Sequence, residues 1–342
     1  MATIKDVAKL ADVSVATVSR VINKSPKASE AAITAVTQAM KTLGYRPNAN
    51  ARALVSQSTN TIGVLVGDVS DPFFGAMIKS IDNIARQHNK HLLIGNGYHN
   101  TGSERDVIEL LINSRCDILI IHSKSLSNDE LIAYAQEVPG MVLINRFIPE
   151  IADRCIALDN HRGSYLATEL LIKHGHQHIG YICSNHDIED TEQRKQGYLD
   201  ALQAHQLTAP QNYIEYGTPD EDGGEIAMTN LLTKNLPITA IAAYNDYMAA
   251  GCLSVLEGNG LTVPNQMSLI GFDDGLIAKY LHPKLTTVRY PIQIMAEQAT
   301  QLAFQLATAA KQSTLDTTKA DSNITHLFVP TLVKRLSVMT PQ

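Results

Sequence analysis

At 342 residues, 44% apolar and 18% charged, the chain is long enough for two or three domains with real cores and too apolar for disorder to dominate. No run of about 18 apolar residues exists to span a bilayer, Lys5, Asp6 and Lys9 break up the start where a secretion signal needs an apolar stretch, and the four scattered cysteines form no C-x-x-C, so a reducing cytoplasm is expected. The net charge of −6 divides unevenly: residues 1–58 carry eight Lys or Arg against three Asp or Glu and the rest carry 20 against 31, a basic head on an acidic body that turns the head toward a polyanion.

Apolar residues in the head recur at helical spacing in three sets: Ile4, Val7, Ala8 and Ala11; Val18, Val21 and Ile22; Ile33, Val36, Met40 and Leu43. Three short helices are predicted. Thr3 and Asp6 form a T-x-x-D capping signature, Ser14 and Ser29 are placed to cap the next two helices, and Gly44 with Pro47 behind it stops the third. Only Ala11 to Ser14 separate the first two helices, the length of the bend in a helix-turn-helix, so the second is the recognition element. Its first turn, Val15-Ala16-Thr17, and then Ser19, Arg20 and Asn23 carry groups that read a duplex. Arg bonds guanine bidentately, hydroxyls reach phosphates or bases, and small apolar groups meet thymine methyls. A plain three-helix bundle is the alternative; the basic charge favours DNA.

The runs Ile4-Lys5-Asp6-Val7-Ala8, Val13-Ser14-Val15-Ala16-Thr17-Val18-Ser19-Arg20-Val21-Ile22-Asn23 and Tyr45-Arg46-Pro47-Asn48 resemble the head of LacI/GalR-family transcriptional repressors. The resemblance implies that Val15 and Ala16 discriminate operators and that Thr17, Ser19, Arg20 and Asn23 position or read the major groove. It also implies that Thr3, Ser29 and Tyr45 anchor phosphates, with Ser14 and Asn48 in the same DNA-facing set. Asp12 departs from the pattern, standing where the family usually has Gly in the turn. Asp tolerates a left-handed backbone better than most residues, so a small stability cost is expected.

Residues 48–56, from Asn48 to Ser56, favour helix but are shorter than the roughly 12 to 15 residues an isolated helix needs. They resemble the family's hinge helix, which orders when two copies meet in the minor groove and Leu54 wedges between base pairs. An ordinary linker is the alternative. The expected divisions are therefore a helix-turn-helix domain at 1–47, a hinge helix and linker at 48–58, and an effector-binding and dimerisation domain at 59–342.

From Thr61 onward, β-branched runs alternate with amphipathic stretches: 62–66, 92–94, 118–121, 142–144, 179–182, 240–242 and 268–271. The alternation predicts two α/β subdomains with parallel sheets, broken near 159–163. Such sheets bind ligands beyond the carboxyl ends of their strands. Asp68 and Asp71-Pro72-Phe73-Phe74, Asn145-Arg146, Asn245-Asp246 and Asp273-Asp274 follow four of the runs, and Arg194 lies in a helical stretch after Ser184-Asn185. Carboxylate, amide and guanidinium groups with aromatic faces suit a sugar, whose hydroxyls both donate and accept. Asp71 and Asn245 are equally placed to cap the following helices.

Asp68 to Gly75, Gly140 to Arg146, Gly175-His176, Ile179-Gly180-Tyr181, Tyr244-Asn245-Asp246, Gly271 to Asp274 and Leu285 to Val288 extend the resemblance to the family's effector core, built like a periplasmic sugar-binding protein. It implies ligand contacts from Asp71, Phe73 or Phe74, Asn145, Arg146, Arg194, Asn245, Asp246 and Asp273, and a symmetric homodimer. Residues 94–100, 289–291 and 330–333 resemble the family's galactose-responsive branch, which implies D-galactose as effector. The Ser-, Thr-, Asp- and Lys-rich stretch 311–326 is longer than is typical there.

An enzyme is the competing class, but there is no G-x-S-x-G elbow and no P-loop, and Gly95-Asn96-Gly97 has Asn100 where a dinucleotide motif needs its third Gly. His174, His176 and His178 form H-x-H-x-H without a neighbouring Cys or carboxylate to complete a metal site. No cofactor, metal or membrane is expected. A transport-type sugar-binding protein would fit the body but not the basic head.

Overall fold

The computed structural model describes residues 2–23, 25–45, 59–208, 210–312 and 326–341. They divide into a head, Met1–Thr59, and a body, Asn60–Gln342. In the head, α1 (Ile4–Leu10), α2 (Val15–Ile22) and α3 (Glu30–Leu43) start at side-chain caps. The Thr3 N–H donates to Asp6 Oδ2 at 2.8 Å while the Asp6 N–H donates back to Thr3 Oγ1, a reciprocal capping box. Ser14 and Ser29 accept from the N–H groups of Thr17 and Ala32. The bend between α1 and α2 needs one left-handed residue, and Asp12 supplies it at φ 51°. Gly44 ends α3 at φ 59°. Val7, Ala8, Val18, Val36 and Ala39 form the core, which leaves Val15, Ala16 and Arg20 on the exposed side of α2. The expected hinge, with Asn48 and Leu54, and residues 313–325 of the long polar stretch lie outside the described residues.

The body begins with β1 (Thr61–Val66), α4 (Pro72–Gln87), β2 (His91–Asn96), α5 (Thr101–Asn113), β3 (Ile118–Ile121), α6 (Asn128–Glu137), β4 (Gly140–Ile144) and β5 (Cys155–Leu158). It continues with α7 (Asn160–Lys173), β6 (Ile179–Ser184), α8 (Glu189–Ala204), β7 (Ile214–Gly217), α9 (Glu221–Thr233), β8 (Ala240–Ala243), α10 (Asp246–Gly258), β9 (Ser268–Ile270) and α11 (Leu276–Tyr280). The last elements are β10 (Thr287–Arg289), α12 (Ile292–Lys311), β11 (Leu327–Phe328) and β12 (Thr331–Val333). Two parallel sheets result, ordered β11-β5-β4-β3-β1-β2 in one lobe and β7-β6-β8-β9 in the other. Strands β3, β4 and β8 are buried along their whole length, which is why they read as unbroken apolar runs. Taking each Ile or Leu there out of water contributes roughly 1.5–3 kcal/mol.

The chain passes between the two sheets at three places. It passes from β5 into α7, returns between β10 and α12, which packs on β3, β4 and α4, and leaves again between β11 and β12. The crossings lie side by side: the Asp159 N–H donates to the Phe328 carbonyl at 2.9 Å, and Arg289 pairs with Thr331. Strands β5, β7, β10, β11 and β12 escape the periodicity reading, and all of them except β5 have an exposed position that breaks the apolar run.

Candidate functional site

The carboxyl ends of both sheets face the space between the lobes, and the loops that leave them bring the polar side chains. Asp71 caps α4 by accepting the Phe73 N–H at 2.8 Å, and burial raises its carboxyl above the ordinary range. The Phe73 ring meets Phe74 and Tyr290 edge-on at 5.2 and 5.0 Å, and Phe74 meets His122 at 4.9 Å, giving one apolar wall. Gly67 makes this packing possible, since a Cβ there would lie 2.8 Å from the Phe74 ring and 2.9 Å from His99 Nε2.

Opposite the wall runs a buried polar chain. Asn145, left-handed at φ 57°, donates through Nδ2 to Asp190 Oδ2 at 2.7 Å. Lys124 lies 2.7 Å from Asp190 Oδ1 and donates to the Asn145 carbonyl. Burial works against the charge of Asp190, but Lys124 and Arg194 outweigh it and hold the carboxyl below its usual value. Arg194 donates through Nε to Asn160 Oδ1 at 2.9 Å and through Nη1 to the Tyr244 carbonyl at 2.7 Å. Its Nη2 lies 3.6 Å from Asp273 Oδ1, too far for a hydrogen bond. Burial pushes the Asp273 carboxyl well up, Arg194 opposes the shift, and Asp246, Asp71 and Asp190 add to it.

Four buried polar atoms of this cleft have no hydrogen bond among the described residues: His99 Nδ1, His122 Nδ1, Asn145 Oδ1 and the Tyr290 hydroxyl. Such atoms are costly when left unpaired, so the cleft has unused hydrogen-bonding capacity to offer a ligand. The His99 ring stands 5.9 Å from that of His122 and 5.5 Å from that of His186, and burial lowers all three pKa values. Beside the polar chain, a cavity of about 390 Å³ is lined by Asn145, Arg146, Asn160, Glu189, Asp190 and Gln193 among others; ligand pockets start at about 300 Å³.

The structure thus brings together Asp71, Phe73, Phe74, Asn145, Arg194 and Asp273 from the expected set, and three others play different parts. Asn245 caps α10, accepting the Met248 N–H and donating one amide hydrogen to the Pro219 carbonyl, which leaves its second amide hydrogen unassigned. Both oxygens of Asp246 are taken, by the Thr287 hydroxyl at 2.6 Å and the Gly275 N–H at 2.8 Å, and burial lifts its pKa to about 7. It braces the turn after β9. Arg146 lines the cavity, but its guanidinium donates to the Ser123 carbonyl and Asn128 Oδ1.

His99, His122, Lys124, Asn160, Asp190 and Tyr290 were not among the residues singled out. His122 and Lys124 follow the run 118–121 directly, so the rule of inspecting strand ends would have found them. Asp190 and Asn160 meet across 30 residues and carry no local signal. The H-x-H-x-H residues disperse: His174 bonds the Leu170 carbonyl, His176 bonds Thr239, Ser268 and the Met339 carbonyl, and His178 bonds Tyr213. No cluster able to hold a metal occurs among the described residues.

In the head, Thr3, Ser14, Val15, Ala16, Arg20, Asn23 and Ser29 are exposed, while Thr17, Ser19 and Tyr45 are half-buried. Ser14 and Thr17 share a hydrogen bond at 2.9 Å between their hydroxyls. Among the described residues no helix is long and apolar enough to cross a membrane.

Comparison with known proteins gives two family matches: bacterial regulatory proteins of the lacI family over residues 3–48, and the periplasmic binding protein-like domain over 168–338. The HTH-type transcriptional regulator GalR of Salmonella typhimurium is 56% identical over 341 residues, spanning 100% of this chain and 97% of its own. GalR of Escherichia coli is 55% identical with the same coverage, and GalS of S. typhimurium 54% identical over 99% and 97%. Among solved structures, the lac repressor dimer bound to operator and the anti-inducer ONPF superposes with a TM-score of 0.81 at 23% identity, covering 99% of each chain, a likeness of fold. A complex of the transcriptional regulator CelR with cellobiose gives 0.68 at 27% identity, covering 98% and 100%.

Proposed function

Because the chain belongs to the LacI family of bacterial regulatory proteins, we propose that it is a cytoplasmic transcriptional repressor that binds operator DNA as a homodimer and is released by a small sugar, D-galactose. The observation that carries this reading is the cleft. Its unpartnered His99, His122, Asn145 and Tyr290 atoms, set between an aromatic wall and the Asp190–Arg194 chain, supply mixed donors and acceptors of the kind a hexose needs. Galactose is preferred over other sugars from the resemblance of residues 94–100, 289–291 and 330–333. The matched relatives are regulators, so no reaction is assigned.

On the DNA side, Val15 and Ala16 select the operator, Arg20 and Asn23 read or position the major groove with Thr17 and Ser19, and Thr3, Ser14, Ser29, Tyr45 and Asn48 hold phosphates. Leu54 wedges into the minor groove, so Leu54→Ala weakens operator binding and spares sugar binding. A two-fold dimer reads a pseudo-palindrome. Sugar closing the cleft rotates the lobes, moves the paired starts of the bodies and unpairs the hinge helices. A coupling of about 1 to 3 kcal/mol corresponds to roughly 5- to 150-fold, and reciprocity makes operator weaken sugar binding by the same factor. Fluorescence anisotropy on labelled operator, with and without galactose, tests the reading. Weaker binding with sugar is expected; tighter binding makes the sugar a corepressor, and unchanged binding with every sugar ends the proposal.

A further inference from the structure

Lys124 and Asp190 join the two lobes inside the cleft: Lys124 sits in the loop after β3, Asp190 in the first turn of α8. Their side chains are 1% and 8% exposed. The Lys124 loop is itself held from below, because the buried Glu104 carboxylate accepts from the Ser123 hydroxyl at 2.6 Å and from the N–H groups of Lys124, Ser125 and Leu126. Asp190 is held as firmly, receiving Asn145 Nδ2 at 2.7 Å and Asn160 Nδ2 at 3.3 Å. A buried ion pair spends in desolvation most of what it gains in attraction, so stability alone is a poor reason for it. Its effect on the charge of the cleft is larger.

Lys124 and Arg194 are the two buried cations of the cleft, and each has partners within the protein. The Lys124 ammonium is held by Asp190 and the Asn145 carbonyl, and the Arg194 guanidinium by Asn160, the Tyr244 carbonyl and, at longer range, Asp273. Asp190, held in its charged form by Lys124 and Arg194, is the carboxylate of this space, and Asp71 and Asp273, which burial pushes toward the neutral form, lie beside it. A phosphate needs charge-assisted donors and meets repulsion from carboxylates, whereas a hydroxyl donates to them. We propose that Asp190 is a specificity residue: by holding the Lys124 ammonium it reserves the cleft for uncharged sugars and excludes their phosphate esters.

This inference rests on the sugar reading of the same cleft. The test is calorimetric titration of the full-length protein with D-galactose, its 1- and 6-phosphates and inorganic phosphate. The wild type should take galactose about 100-fold more tightly than either ester, because a like charge brought against a buried carboxylate is strongly opposed. Asp190→Asn keeps the shape and frees the ammonium; it should move the preference toward an ester by about 10-fold or more. Adding Lys124→Met should abolish that shift. Wild-type protein that binds galactose and an ester equally, or an Asp190→Asn variant that loses both in proportion, overturns the specificity role and leaves the sugar reading intact. Wild-type protein that binds none of these sugars overturns both. If Asp190→Asn does not fold, Asp190→Ser is titrated in its place and is held to the same outcomes.

Discussion

Arg194 lies flat on Phe272, its guanidinium carbon 3.7 Å from the ring centroid, with the Tyr244 ring 4.5 Å away. Stacking and the bonds to Asn160 and the Tyr244 carbonyl leave the fork one orientation, with Nη2 turned toward Asp273. A lysine cannot reproduce this, since its ammonium neither stacks as a plane nor donates in a fixed fork.

Arg194→Lys should therefore weaken galactose binding by about 1.5–3 kcal/mol, the range for hydrogen bonds to a charged group. Operator affinity without sugar should stay within twofold. Calorimetry for the sugar and anisotropy for the operator check this; a variant that still responds to sugar at wild-type concentrations would show that the fork is dispensable.

Asp246 gives a pH dependence opposite to that of an ion-paired carboxylate. Its folded pKa of about 7 stands above the ordinary 3.8, so between those values the folded chain holds a proton that the unfolded chain has lost. Its contribution is complete below about pH 4 and gone once pH passes about 7. Asp246→Asn, with the Thr287 hydroxyl turning to accept, should gain stability relative to wild type as pH rises from 5 to 8. Melting temperatures across that range decide it, and a difference that stays constant or shrinks with pH refutes it.

His122 acts in the opposite direction. Burial, then Lys124 and His99, hold its pKa well below 6.5, so the neutral ring's contribution is complete above pH 6.5 and lost as the solution is acidified toward the folded value. His122→Gln should flatten the acid side of the stability curve below pH 6.5. If the wild-type and variant melting curves fall in parallel from pH 7 to 5, the ring is not the group responsible.

At the bend of the head, Asp12 bears a left-handed backbone without glycine's freedom. Asp12→Gly should stabilise the head by roughly 0.5–1 kcal/mol, the strain relieved exceeding the extra freedom of the unfolded chain. Chemical denaturation followed by circular dichroism measures it, and a loss of stability would mean that the aspartate makes a contact worth more than the strain.

Much of the architecture was readable because it is local. The head's caps, Thr3, Ser14 and Ser29, lie three residues from the N–H groups they accept from, and fully buried strands such as β3 show as bare apolar runs. What escaped depends on distant partners. Asn245 and Asp246 have the right chemistry for a ligand, yet Pro219 and Thr287, far along the chain, take part of their hydrogen bonding. Asp190 is one carboxylate among several at the start of α8, and only the arrival of Lys124 from the other lobe sets it apart.

The three neighbouring crossings at 158–160, 289–292 and 328–331 restrict how the body deforms. A single tether would let one lobe swing in any direction, but three laid edge to edge oppose sideways shear and leave torsion about their common line as the soft coordinate. A ligand that bridges the lobes in the cleft therefore works on an angle between them rather than on a sliding displacement.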